Sequence, residues 1–308
     1  MRILILGAGA VGGYFGGRLA QTGVDVTFLA RPERRRRLEA SGLVIKSPLG
    51  DATLAPTLLS AGETAAPFDL VILACKAYDL DDAIRAVAPY VGDKTLLLPL
   101  LNGFAHIGIL RSHFGAARVL GGFAEIGATL GANGEIIHFN ALNRIGFGAP
   151  GGPAPPVLET LAHAFAQTPA QVVFSGEIAA LMWGKYVFLA TLAAATCLMR
   201  ASIGVILQTP AGPELIAALL DEALRIAEAA GYPPDAERVA GYRAFLFDPE
   251  SNSTASMLRD MLRGGKTENA HILGRLLETA KAFKIDAPSL ALAHSHILAY
   301  EIGVAAQG

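Results

Sequence analysis

Two groups of residues in this chain have types and spacings that could do chemistry. The first is Gly7-Ala8-Gly9-Ala10-Val11-Gly12, a G-x-G-x-x-G run that follows the apolar stretch Ile3-Leu4-Ile5-Leu6 and opens a helical pattern. In that context each glycine has a reason: Gly7 for a tight turn, Gly9 so that backbone can approach a pyrophosphate, and Gly12 for close helix–strand packing. Phosphates would then rest on the N–H groups of a helix N-terminus, where the macrodipole favours negative charge. The second is a lysine in apolar surroundings, Lys185 within Leu181-Met182-Trp183-Gly184-Lys185-Tyr186-Val187-Phe188. Desolvation makes an ammonium a stronger acid, which suits it to give a proton to an oxygen on which negative charge develops. The same lysine could instead reach from a core helix to solvent.

Around these stand further candidates. The second strand, Val24 to Leu29, ends about 20 residues past the fingerprint, where an acidic residue would hold the ribose hydroxyls of NAD. The chain has Ala30-Arg31 there. A carboxylate would repel a 2′-phosphate, whereas Arg31 can pair with it bidentately and stack on adenine, so NADP(H) is the expected cofactor. Arg34-Arg35-Arg36-Arg37 adds positive potential but reads as a solvated helix face. Lys76 lies at the end of a strand, Leu70 to Ala74, on the edge where open α/β sheets bind ligands, and is equally open to being merely exposed. Glu268 could accept a hydrogen bond from a substrate hydroxyl, or stand with Thr267 at a helix start. Ser256 could touch substrate or cap the helix through Met257-Leu258. Asp260, one turn on, reads as structural. His294 and His296 are two apart, which on a helix sends the rings to different faces, so no metal site is expected. Cys75 and Cys197 read as small buried apolar residues.

The elements that must position these groups alternate in the first third of the chain: strands at Arg2 to Leu6, Val24 to Leu29, Leu70 to Ala74 and Thr95 to Leu98, with helices at Tyr14 to Thr22 and Asp81 to Tyr90. That alternation predicts a parallel sheet with crossover helices. Leu43 to Lys46 and Ala52 to Leu54 flank Pro48-Leu49-Gly50-Asp51 as an inserted hairpin. Three strands, Ile126 to Leu130, Glu135 to Phe139 and Arg144 to Gly148, predict a meander turning at Ala132-Asn133-Gly134. Pro150 to Pro156 resembles a linker, but the helix Val157 to Gln167 and strand Gln171 to Phe174 add one more unit, which places the domain boundary near Ser175. Beyond it the pattern is helical: Ile178 to Met199, Glu214 to Ala230, Ala236 to Phe245, Ser256 to Leu262, Thr267 to Phe283, and a last helix opened by Pro288. The expected fold is α/β, with a Rossmann-type dinucleotide-binding domain over 1–174 and an all-α substrate and catalytic domain over 175–308.

Composition narrows the partners. With 52% hydrophobic and 17% charged residues, the chain has enough apolar material for large packed cores. A formal net charge of −2 gives no global attraction for nucleic acid or an anionic membrane, so small polar ligands are the expected partners. Tyr186 to Met199 falls short of the about 20 residues of a spanning helix and reads as a buried core helix. Two cysteines and a start that leads directly into a strand favour a reducing, cytoplasmic setting. An apolar helical domain with exposed faces is compatible with a homodimer.

Gly7 to Gly12, Arg31, Cys75-Lys76-Ala77, Asn102-Gly103, Trp183-x-Lys185, Ser256-x-x-x-Asp260 and Lys266-Thr267-Glu268 appear in an order and spacing that resembles the ketopantoate (2-dehydropantoate) reductase family over essentially the whole chain. The resemblance implies hydride transfer from NADPH to the 2-keto group of ketopantoate, giving pantoate for pantothenate synthesis. It implies that Arg31 and Lys76 hold the 2′-phosphate, that Asn102 lies between nicotinamide and substrate, that Lys185 is the general acid, and that Ser256 and Glu268 position the substrate. In many members the lysine is followed four and eight residues later by asparagines; here those places carry Leu189 and Ala193. Polar contacts are lost on that stripe, which leaves open a reductase of a more apolar 2-oxo acid. A non-catalytic NADP-binding sensor is the remaining alternative.

Overall fold

The computed structural model describes residues 1–151 and 153–306. They form two compact units, one of Met1–Asn102 with His106–Ile178, the other of Gly103–Ala105 with the chain from Ala179 on.

The first unit contains, in order, β1 (Arg2–Leu6), α1 (Ala10–Gln21), β2 (Asp25–Leu29), α2 (Pro32–Ser41), β3 (Leu43–Lys46), β4 (Ala52–Leu54), β5 (Thr57–Leu59), β6 (Leu70–Leu73), α3 (Leu80–Val87), β7 (Leu96–Pro99), α4 (Ala105–Phe114), β8 (Gly121–Leu130), β9 (Ile136–Gly148), α5 (Pro156–Ala166) and β10 (Gln171–Phe174). Five strands make a parallel sheet in the order β5-β2-β1-β6-β7. All of β6 and nearly all of β1 is buried, as continuous Ile/Leu/Val runs require when helices cover both faces. Leu6 lies opposite Leu29 and Leu73, and Leu73 opposite Pro99, so four strands end together along one edge.

A second sheet has the order β10-β9-β3-β4, with β8 also on β9. The inserted hairpin is present as the antiparallel pair β3–β4. The expected three-stranded meander is not: Ile136 to Gly148 is one continuous strand, paired antiparallel with β8. Asn140 to Asn143 carries the composition of a turn, yet the strand runs through it, and a register shift between Ile126 and Ala128 absorbs the mismatch as a bulge. Pro156 opens α5, and Gly152 of the Pro/Gly stretch lies outside the described residues.

Helix α1 lies between the two sheets, and its glycines make that possible. A Cβ on Gly16 would stand 2.8 Å from the Phe28 ring of the first sheet, and one on Gly17 2.9 Å from both Ile45 and Leu43 of the second. A Cβ on Gly13 would meet Ile136 at 2.6 Å. The helix is thin where the sheets press on it.

The second unit is helical: α6 (Ile178–Met199), α7 (Ile203–Leu207), α8 (Gly212–Ala229), α9 (Ala236–Leu246), α10 (Ser256–Leu262), α11 (Arg275–Ala282) and α12 (Pro288–Ala305). Among the described residues α6 is long and apolar enough to cross a membrane by length and composition alone, but its middle, with Val187, Ala190, Ala193, Ala194 and Cys197 fully buried, is the centre of this unit's core. Short α7 has no counterpart in the sequence reading. The single helix expected from Thr267 to Phe283 is instead a π-helical turn, Ala270–Gly274, running into α11. Such turns are wide, carry one extra residue and recur at functional sites.

Candidate active site

At the carboxyl edge of the parallel sheet the fingerprint has the shape its spacing demands. Gly7 takes φ +99°, a conformation L side chains rarely adopt, and a Cβ there would meet the Ala74 carbonyl oxygen at 2.8 Å. A Cβ on Gly12 would lie 2.2 Å from the Gly7 carbonyl oxygen and 2.9 Å from the Ala74 Cβ, so only glycine lets α1 start this close to β6. Gly9, the N-cap of α1, has open space where its Cβ would be and makes no side-chain cap. Ala10, Val11 and Gly12, in the first turn, therefore present N–H groups with no intrahelical partner beside an unfilled space. That is the cradle a pyrophosphate fits.

Arg31 follows β2 and is the N-cap of α2; its side chain is 71% exposed, and Nη2 is 3.0 Å from an Asp79 carboxylate oxygen. Lys76 is half-buried at the N-cap of a 3₁₀ turn, Ala77–Asp79, just past β6. Asn102 is half-buried just past β7. The Gly-rich loop, Arg31, Lys76 and Asn102 thus come from four neighbouring strand ends on one edge, as ligand sites of open parallel sheets do.

The four-arginine run does more than provide a field. Arg34 turns under the loop: Nε donates to the Ala8 carbonyl at 2.7 Å and Nη1 to the Gly134 carbonyl at 2.6 Å. Burial, with Arg37 beside it, lowers its pKa from the ordinary guanidinium value. Arg35 pairs with Glu39 and Glu63, and Arg37 with Glu33, which leaves Arg36 as the solvated member. A run of like charges carries no signal for which member folds inward.

In the second unit Lys185 is half-buried on α6, with Leu189 half-buried and Ala193 fully buried on the turns that follow. Two hydrogen bonds tie α6 to the segments holding the other candidates. The Tyr186 hydroxyl donates to the Ile272 carbonyl at 2.6 Å inside the π-helical turn, and the Ala255 N–H donates to Thr196 Oγ1 at 3.3 Å. Ala255 is the N-cap of α10, so Ser256 is its first helical residue and not its cap. Glu268 is buried, with its carbonyl accepting from His271 and Ile272 at the entrance to the π-helical turn. Its neighbours are anchored to α12: Thr267 donates to Glu301, and Asn269, fully buried, bonds the His294 ring at 2.9 Å and the His294 carbonyl at 3.1 Å. The Asp260 carbonyl accepts from Arg263 and Gly265, shaping the loop that leads to Lys266.

Trp183 stacks on Tyr232 at 5.8 Å and 11°, flanked by Phe104 and Tyr186, and its Nε1 is a buried donor without a partner among the described residues. Of Arg34, Asp79 and this indole, only Trp183 stands in a sequence motif, Trp183-x-Lys185.

Strand order, phosphate loop and a helical second unit define a Rossmann-type nucleotide-binding protein with an all-helical partner domain. Comparison with known proteins narrows this to a family. Residues 3–152 match the family described as ketopantoate reductase PanE/ApbA, and residues 177–301 its C-terminal domain. The uncharacterized oxidoreductase YkpB of Bacillus subtilis is 38% identical over 98% of this chain and 99% of its own. The crystal structure of 2-dehydropantoate 2-reductase from Geobacter metallireducens is 28% identical with a TM-score of 0.88, covering 96% of this chain and 98% of its own. A structure of D-mandelate dehydrogenase with NADH and anilino(oxo)acetate shares the fold at a TM-score of 0.88 and 22% identity, each chain covered to 99%. The chain belongs to the ketopantoate reductase family and is an oxidoreductase of that family.

Proposed function

We propose that this protein reduces 2-dehydropantoate to pantoate with NADPH. The observation that carries the reading is the anchoring of α6: the helix with Lys185 is hydrogen-bonded through Tyr186 and Thr196 to the segments that hold Glu268 and Ser256. The helix that carries the proposed proton donor is thereby joined to the two segments that carry the groups proposed to orient a hydroxylated 2-oxo acid. The dinucleotide, when bound, supplies the hydride. Gly7 to Gly12 take its pyrophosphate, Arg31 and Lys76 its 2′-phosphate, and Asn102 orients substrate and nicotinamide. Lys185 Nζ hydrogen-bonds the keto oxygen and gives it a proton as negative charge develops there. Glu268 and Ser256 accept and donate hydrogen bonds to the rest of the substrate.

A second reading, reduction of a more apolar 2-oxo acid, is favoured by Leu189 and Ala193 on the stripe of α6 that follows Lys185. The fold neighbour that binds anilino(oxo)acetate and NADH supports considering an aromatic acid and either dinucleotide. NADPH oxidation by the purified protein, measured against ketopantoate and a panel of aliphatic and aryl 2-oxo acids with NADH in parallel, separates the readings. Efficient turnover of ketopantoate supports the first, and turnover of bulkier acids alone supports the second. Tight NADPH binding without turnover of any acid overturns both in favour of a dinucleotide sensor.

A further inference from the structure

Three charged side chains stand at the ends of β2 and β6. Arg31 opens α2, Lys76 opens the 3₁₀ turn Ala77–Asp79, and Asp79 closes that turn. Asp79 also occupies the N-cap position of α3, where a carboxylate ordinarily accepts a hydrogen bond from the first helical turn. It makes no such bond. The acidic charge that complements the α3 dipole comes from Asp81 and Asp82, while the Asp79 carboxylate is directed to Arg31 at 3.0 Å. A residue placed to cap one helix has been turned to pair with the arginine that opens another.

We infer that Asp79 is a specificity-determining residue for the dinucleotide: as the counter-ion of Arg31 it reduces the preference for a 2′-phosphate over a 2′-hydroxyl. The inference rests on the reading that Arg31 and Lys76 receive the 2′-phosphate. A phosphate monoester carries about −1.5 to −2 charges at neutral pH. Asp79 offsets the positive charge that Arg31 would otherwise offer it. An incoming 2′-phosphate must share the guanidinium fork with Asp79 or displace it, and it meets the carboxylate's repulsion in either case. A 2′-hydroxyl meets neither cost. With Arg31 71% exposed the pair is weak, so Asp79 moderates selectivity without abolishing it.

The test is the dissociation constant of NADPH and of NADH, by calorimetry on the full chain, for wild type, Asp79→Asn, Arg31→Ala and the double variant. Asp79→Asn should tighten NADPH by about 1.4-fold to fivefold, the range for an exposed ion pair, and leave NADH unchanged. The gain should shrink as salt is raised and vanish in the Arg31→Ala background. Unchanged or weaker NADPH binding in Asp79→Asn overturns the inference, as does a gain that persists without Arg31. Arg31→Ala reports separately on the underlying reading: loss of NADPH affinity with NADH untouched supports it, and equal loss of both removes it whatever Asp79→Asn does.

Discussion

Gly9 and Gly12 belong to the same motif, yet substituting each by alanine should have opposite consequences. The new methyl of Gly9→Ala would touch nothing within 4 Å, and Gly9 is not among the residues at positive φ. Its cost to the fold is that of a poorer N-cap, within about 1 kcal/mol. The methyl stands where backbone would meet a pyrophosphate, and overpacking there of about 1–3 kcal/mol corresponds to roughly fivefold to 150-fold weaker dinucleotide binding. Gly12→Ala places its methyl 2.2 Å from the Gly7 carbonyl oxygen and 2.9 Å from the Ala74 Cβ, against backbone on one side and a strand end on the other. About 3 kcal/mol or more of strain, offset by about 1 kcal/mol of better helix propensity, leaves a net loss near 2 kcal/mol. At about 2–4 °C per kcal/mol the melting temperature should fall by about 4–8 °C. Thermal unfolding and calorimetric titration with NADPH check both variants. If Gly9→Ala melts as low as Gly12→Ala, or binds NADPH as wild type does, the assignment of open space to the cofactor is wrong.

Lys185→Ala should lower kcat by about 10²- to 10⁴-fold, the range for a general acid, while the NADPH dissociation constant stays within error; an unchanged kcat removes Lys185 from the mechanism. Tyr186→Phe leaves the Ile272 carbonyl without its donor and should destabilise the protein by about 1–3 kcal/mol, read as a lower midpoint in denaturant. Burial raises the Tyr186 phenol above its ordinary value. The folded chain therefore keeps a proton that the unfolded chain loses near about pH 10, so this contribution is full below that pH and lost above it. Unfolding midpoints between pH 9 and 11 should fall less steeply in Tyr186→Phe than in wild type. Burial also pushes the Cys197 thiol up to about 12, so in the native protein at pH 8 a disulfide reagent should leave Cys197 unmodified, and mass spectrometry locates any adduct.

Much of the architecture was legible because it depends on spacing. Three glycines at fixed intervals after a strand place a turn, and apolar runs of four or five residues separated by helical periods order a parallel sheet. The compact units divide the chain differently from the boundary read near Ser175: the first unit runs to Ile178, and Gly103–Ala105 joins the second, with Phe104 packed against Trp183 and Tyr232. No local pattern announces that three residues next to Asn102 belong to another core. The continuity of β9 through Asn140 to Asn143 was hidden because its turn-forming residues bulge out within the strand, with the four residues between His138 and Asn143 opposite Gly127 alone. Composition presented Arg34 as one of four equivalent charges, and only the Ala8 and Gly134 carbonyls distinguish it. Ser256 could be read as a cap because serine favours that position; the cap falls one residue earlier, on Ala255. The π-helical turn after Glu268 was invisible to a periodicity of 3.6, since one inserted residue changes the phase without changing composition.

The thin helix between the two sheets has a consequence for how the domain acquires its binding loop. Glycine is among the poorest helix formers, at about 1 kcal/mol per residue relative to alanine, and α1 carries four within twelve residues. Such a segment has little tendency to be helical alone, and it becomes a helix when Phe28 and Ile5 close on one side and Ile45, Leu43 and Ile136 on the other. Ile136 comes from a strand more than a hundred residues downstream, so the helix whose N-terminus would cradle phosphate rests in part on distant sequence. Nucleotide affinity in this fold therefore depends on packing from both sheets, and not on the first strand, helix and second strand alone.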